Sequence, residues 1–147
     1  MQILSQSGSA GAAPAAGSPD EAGQFVRGAG LVVDEVSPER VLGHIDLDER
    51  HHTPWGIIHG GVYATAVESA ASIGASAAVH DRGLVAVGLT NTTQFLRSLT
   101  SGRVIVEAVA LNQGRSQQLW RVDITDSEGR LVAHGELRLQ NLDPSSR

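Results

Sequence analysis

The sequence predicts an α+β domain in which one antiparallel sheet wraps a single long helix. Three observations carry this. The stretch from Gly60 or Gly61 to about His80 is built of Ala, Ser and Gly with few bulky side chains. Four strand-like runs follow it with no further helix, and two precede it. The strand runs alternate apolar and polar residues, the mark of a sheet with one buried and one wet face. The order is β-β-α-β-β-β-β, a helix layer against a sheet layer.

Ser5 to Gly23 is Ser, Gly, Ala and Pro with little else, so residues 1–23 read as a disordered tail, with order beginning near Gln24 or Phe25. Leu31 to Val36 is rich in β-branched residues, and Ser37-Pro38-Glu39-Arg40 supplies a turn. In Val41 to Leu47 the residues Val41, Gly43, Ile45 and Leu47 share one face, which makes a half-buried strand paired in a hairpin with the first. Asp48 to Ile58 is a loop containing Pro54 and Gly56. The helix that follows would span about 30 Å, enough to cross a small domain. It lacks the Leu or Ile seam of a coiled coil, so it suits burial inside a curved sheet. Asp81-Arg82-Gly83 ends it, with Gly83 as a left-handed cap. The later strands are Leu84 to Leu96, Arg103 to Asn112, Gln117 to Thr125 and Leu131 to Gln140, with a bend at Gly114 and Arg115. The folded domain is 24–142, and 143–147 is a C-terminal tail. One thin sheet around one helix leaves edges and a face to cover, so a symmetric oligomer is expected.

Composition narrows the function classes. Net charge is -5 and the arginines are scattered, with no lysine at all, which argues against a nucleic-acid surface. The chain has no cysteine, which excludes disulfides, thiolate catalysis and Cys-based metal sites. No apolar run approaches the ~20 residues that cross a bilayer, and no signal peptide is evident, so a cytoplasmic location is expected. His51, His52 and His59 lie close in sequence, but no acid stands at ligand spacing and HExxH is absent, so no metal is expected. No P-loop and no GxSxG elbow occurs.

The chemistry concentrates between Trp55 and Glu68. Glu68 follows an apolar or small stretch and is the only acid between Arg50 and Asp81. It is either a general base or nucleophile tuned by partial burial, or a side chain on the helix's one wet stripe. Thr65 and Ser72 share its helical face and could hold it or a water. His59-Gly60-Gly61 precedes the first helical turn; either its unpaired amides and glycine's small size serve a developing oxyanion, or the two glycines only let the loop turn. Asn91 to Arg97 is polar for a strand interior and reads as a cleft wall or a solvated edge, and Arg115-Ser116 at a bend could hold a phosphate.

The run His59-Gly60-Gly61-Val62-Tyr63-Ala64 with Glu68 nine positions after His59, the small-residue helix, Ala86-Val87-Gly88 and Asn91 to Arg97 resemble the hotdog-fold acyl-CoA thioesterases. The similarity runs from about Gly28 to Leu142, toward the phenylacetic acid degradation and 4-hydroxybenzoyl-CoA types. It implies a helix wrapped by a sheet, a homodimer with shared active sites, and commonly a homotetramer. It implies hydrolysis of an acyl-CoA, aryl or medium-chain, with no cofactor beyond the coenzyme A of the substrate. Carried over, Glu68 attacks the thioester carbonyl or activates water, the Gly60 amide polarises the carbonyl, His59 stands beside it, and Ser72 positions water. Gly61, Asn91, Arg97, Arg115 and Ser116 fall in regions that contact substrate or coenzyme A. The family often has Gln or Asn six residues before the HGG histidine; this chain has Thr53, flanked by His52 and Pro54. Thr53 or His52 then takes that role, or the water is held differently. A non-catalytic acyl-CoA sensor on the same fold is the alternative. A hydratase would pair Asp and His in a different motif, which is not found.

Overall fold

The computed structural model describes residues 23–146; the expected tail over residues 1–23 lies, apart from Gly23, outside the described residues. Six strands form one antiparallel sheet: β1 (Val32–Val36), β2 (Arg40–Leu47), β3 (Val85–Phe95), β4 (Gly102–Gln113), β5 (Gln117–Thr125) and β6 (Leu131–Leu142). Their spatial order is β1-β2-β4-β5-β6-β3. The long helix α2 (Gly60–Val79) lies between β2 and β3 in sequence and packs in the concave side of the sheet. The expected α+β arrangement is present, with the hairpin pairing of β1 with β2.

One element was not anticipated. Gln24–Ala29 forms a short helix, α1, closed by Gly30 at φ +88. Six residues make under two turns, too few for a 3.6-residue period to show in the sequence. At the other end, Pro144–Ser146 makes a single 3-10 turn.

The small residues of α2 explain how a helix fits inside a sheet this thin. Its buried face is Tyr63, Ala66, Val67, Ala70, Ala71, Gly74, Ala75 and Val79, spaced by three and four. Opposite it stand Val41, Ile45, Val106, Trp120, Val122, Ile124 and Leu137, each almost wholly removed from solvent. The closest approach is at Gly74, where an added Cβ would strike the ring of Trp120. Beyond Val79 the chain tightens into a 3-10 turn over His80–Arg82, and Gly83 at φ +68 caps it.

A buried polar network ties the far half of α2 to the sheet. The Gln118 amide donates to the Ala75 carbonyl at 3.0 Å and to Asn141 Oδ1 at 2.8 Å. Its oxygen accepts the Trp120 indole N–H at 3.0 Å. Asn141 in turn donates to the carbonyls of Gly114 and Arg115, both at 3.2 Å, and so holds the bend between β4 and β5. Satisfied amides of this kind cost little when buried, because each donor and acceptor has a partner.

Candidate active site

The loop before α2 is held by its own histidines. His51 is buried; its Nε2–H donates to the Ala29 carbonyl at 3.0 Å while its Nδ1 accepts the Asp48 amide at 3.1 Å. His52 Nε2 donates to the Thr100 carbonyl at 2.7 Å. Thr53 makes a local turn: its hydroxyl accepts the Trp55 amide at 3.3 Å, and its carbonyl accepts the Gly56 amide at 3.0 Å. His52 and Thr53, the positions expected to replace a missing amide side chain, are therefore both engaged, His52 with the Thr100 carbonyl and Thr53 within the loop.

His59 is the N-cap of α2, and its Nδ1 accepts the Gly61 N–H at 2.8 Å. An imidazole nitrogen that accepts carries no proton, so Nε2 holds the hydrogen and stays available as a donor. This cap divides the work of the two glycines. Gly61's amide is committed to His59, whereas Gly60's amide has no acceptor among the described residues. An uncapped N–H at a helix start is the group that an oxyanion would take. The Phe95 ring, 59% exposed at the end of β3, lies over Gly60, so that a Cβ there would come within 2.9 Å of it. Tyr63, next to Phe95 with ring centroids 6.4 Å apart, is not a base candidate: burial pushes its phenol up to about 12.

Glu68 is exposed in this chain, not partly buried. The reason is its position on the stripe Gly61, Thr65, Glu68 and Ser72, which lies beside the buried face of the helix and is less covered than it. Thr65, one turn before it, spends its hydroxyl on the Gly61 carbonyl at 2.8 Å. Ser72, one turn after, is half-buried on the same stripe. What does meet Glu68 is β3. The strand bulges between Gly88 and Thr90. The missing side chain of Gly88 lets the carboxylate lie against the strand, its Oε1 3.4 Å from where a Cβ would stand. Asn91 Nδ2 donates to the Ala64 carbonyl at 3.0 Å and reaches Glu68 Oε2 at 3.5 Å. Asn91, expected among the substrate contacts, is thus beside the carboxylate, and the pattern of a polar strand interior was the signal for it.

A Gly88→Ala substitution tests that approach. The added methyl makes ordinary contact with Leu137 and sits against Glu68 Oε1, so the fold should stand and thermal midpoint should hold or rise slightly. Turnover should change little, because at 3.4 Å the methyl is in ordinary contact with Oε1 and need not displace the carboxylate. Paired melting curves and initial rates check it.

The remaining candidates do not come together. Arg97 follows β3, its amide bonded to the Val132 carbonyl, whereas the Arg115-Ser116 bend is bonded to Asn141 at the other end of β6. Val132 and Asn141 are nine residues apart on one strand, which is roughly 30 Å. Both arginines are exposed. Arg82, not singled out in the sequence, joins the second group by donating to the Arg115 carbonyl at 3.1 Å.

Comparison with known proteins agrees with this architecture. Residues 56–133 match the profile of the thioesterase superfamily. The Mycobacterium tuberculosis protein Rv1847 is 43% identical over 116 residues, covering 78% of this chain and 83% of that one. Its solved structure superposes with a TM-score of 0.78, covering 80% of this chain and 95% of its own. A 1,4-dihydroxy-2-naphthoyl-CoA hydrolase of Listeria monocytogenes is 33% identical over 103 residues, covering 70% of this chain and 83% of its own. The structure of a Haemophilus influenzae thioesterase, 29% identical, superposes with a TM-score of 0.75 over 80% of this chain and 82% of that one. The small-residue helix, its uncapped glycine amide and the lone acid on its open stripe therefore lie in a chain that belongs to the thioesterase superfamily, with the hotdog fold.

Proposed function

We propose that the protein hydrolyses an acyl-CoA thioester to a free carboxylic acid and coenzyme A. Glu68 acts as nucleophile or general base, and the Gly60 amide polarises the thioester carbonyl. The observation that carries this reading is the pair of groups on one helix: an amide at its start and a carboxylate on its open stripe, the one with no acceptor and the other with no cation beside it among the described residues. A thioester carbonyl is electrophilic, so one positioned carboxylate and one oxyanion donor suffice.

The spacing of the two groups bears on assembly. Eight residues of helix separate Gly60 from Glu68, about 12 Å along the axis. At that backbone spacing a carbonyl held by Gly60 lies far from Glu68 of the same chain. A two-fold dimer removes the difficulty, because it sets Glu68 of one chain against the partner subunit's Gly60. The free edge of β3 supports the same arrangement. It is eleven residues long, open on one side and carries exposed Leu89 and Phe95, the kind of edge that pairs with a second copy. A dimer would also cover Glu68 and bring Arg97 of one chain toward a coenzyme A shared with the other. Pairing of dimers into a tetramer is part of the same reading, as are Ser72 near the attacking water, His59 Nε2 beside the carbonyl, and Arg115 and Ser116 toward the phosphates.

An aryl acyl group is favoured within the range of aryl and medium-chain substrates. Two relatives are named for 1,4-dihydroxy-2-naphthoyl-CoA, the Listeria hydrolase and an Arabidopsis thaliana thioesterase 34% identical over 94 residues. The exposed Phe95 ring over Gly60 offers an aromatic face where the acyl group would lie. A panel of aryl- and medium-chain acyl-CoA substrates with free-thiol detection tests the proposal; release of thiol from none of them overturns it. A second reading has its own observation. With His52 bonded to Thr100 and Thr53 turned within the loop, no amide side chain is offered just upstream of the histidine, which favours an acyl-CoA sensor. Calorimetric binding without product would favour the sensor.

A further inference from the structure

We propose that Asn91, held by Thr93, is the positioning residue for the Glu68 carboxylate, not a contact to coenzyme A. This rests on the reading of Glu68 as the reacting group. The Thr93 hydroxyl donates to Asn91 Oδ1 at 2.7 Å, which turns the amide nitrogen toward α2. One amide hydrogen goes to the Ala64 carbonyl at 3.0 Å, and the other faces Glu68 Oε2 at 3.5 Å. All three hydrogen-bonding directions that the amide uses are thereby set, and it has one orientation. The reversed amide would place its oxygen against the Ala64 carbonyl and the carboxylate, three acceptors together.

The arrangement assigns different tasks to the two carboxylate oxygens. Oε2 is held by Asn91, while Oε1 lies over Gly88 with no side-chain donor among the described residues. Oε1 is then the oxygen that attacks or takes the proton from water. A neutral amide is suited to this. It restrains the carboxylate without pairing its charge, whereas an arginine in the same place would stabilise the ionised form and weaken it as a base. The contact to Glu68 is long in the free protein, and catalytic hydrogen bonds often tighten only once substrate is bound.

Isosteric changes at Thr93 separate a hydrogen-bond role from a packing role. Thr93→Val keeps the shape and removes the hydroxyl; Thr93→Ser keeps the hydroxyl and removes a methyl. With an aryl-CoA and thiol detection, Thr93→Val and Asn91→Leu should lower kcat by roughly ten- to a hundredfold with KM within about twofold, while Thr93→Ser should recover most of the wild-type kcat. Equal losses in the two Thr93 variants, or greater loss in the serine one, would assign packing and overturn the proposal. A raised KM with unchanged kcat in Asn91→Leu would return Asn91 to the coenzyme A contacts and overturn it as well. Should Asn91→Leu not fold, the Thr93 pair decides alone. Glu68→Gln is run beside them. Its full activity would remove the Glu68 reading and this proposal together; its inactivity with Asn91→Leu unaffected would remove this proposal only.

Discussion

Glu68→Gln should leave the protein folded and lower turnover of an acyl-CoA by about 10²–10⁴-fold, the usual contribution of a positioned acid or base. Glutamine has the shape of glutamate, and the side chain is exposed on the open stripe of α2, so stability should stay within about 0.5 kcal/mol. Its amide can still meet Asn91, but it can neither attack a carbonyl nor accept a proton from water. The loss should appear in kcat more than in KM, because the group acts on the reacting atoms and does not hold the coenzyme A portion. Initial rates by thiol release, with a thermal melt on the same sample, measure both. Unchanged turnover would place the reacting group elsewhere, and the reading of the helix as the catalytic element would fail with it.

Trp120→Ala should have the largest effect on stability, about 3–5 kcal/mol. The indole is wholly buried between α2 and β5, with its ring on Gly74 and its N–H on Gln118. Truncation empties the largest side-chain volume in the core and leaves the Gln118 oxygen one donor short. A domain of this size is stable by roughly 5–15 kcal/mol, so a variant near the lower end would be largely unfolded at moderate temperature. Chemical denaturation followed by circular dichroism checks the value; a loss under 1 kcal/mol would mean that α2 collapses onto the sheet without the indole. The reverse change, Gly74→Ala, is instructive beside it. Helix propensity favours alanine by up to about 1 kcal/mol. The added Cβ nevertheless enters the space of the indole, and overpacking of that kind costs about 1–3 kcal/mol.

The polar bulge of β3 is a feature that the sequence leaves only half legible. Asn91 and Thr93 stand out as an unusual polar run within a strand, but the partners of Asn91 lie across the fold on α2, more than twenty residues away, and Thr93 acts through Asn91. Alternation assigns the faces of a strand, and a bulge shifts that assignment by one residue. The bulge between Gly88 and Thr90 leaves no mark in composition, yet it decides that Asn91 faces the helix. Gln118 is a similar case. On alternation it belongs to the same face as Trp120, Val122 and Ile124, where an amide looks misplaced, until its four hydrogen-bonding partners are seen. The short helix α1 is not legible in the sequence, because fewer than two turns carry no period.

By itself the sequence determined the plan of the molecule. A run of Ala, Ser and Gly long enough for a helix, flanked by alternating β-branched strands, admits little besides a small helix inside a curved antiparallel sheet. The HGG run and the lone acid two turns on marked where chemistry would sit. Local residue type governs such features, so they are legible from the chain alone. Only the tertiary structure decided which glycine amide is free, which face Glu68 occupies and what holds its carboxylate. Those depend on a histidine folding back on the helix start, on a strand bulging past a glycine, and on contacts between distant segments. The bulge and the Asn91 contacts arise only when separate elements pack together, whereas the histidine cap is local and turns on side-chain orientation, which residue type does not state.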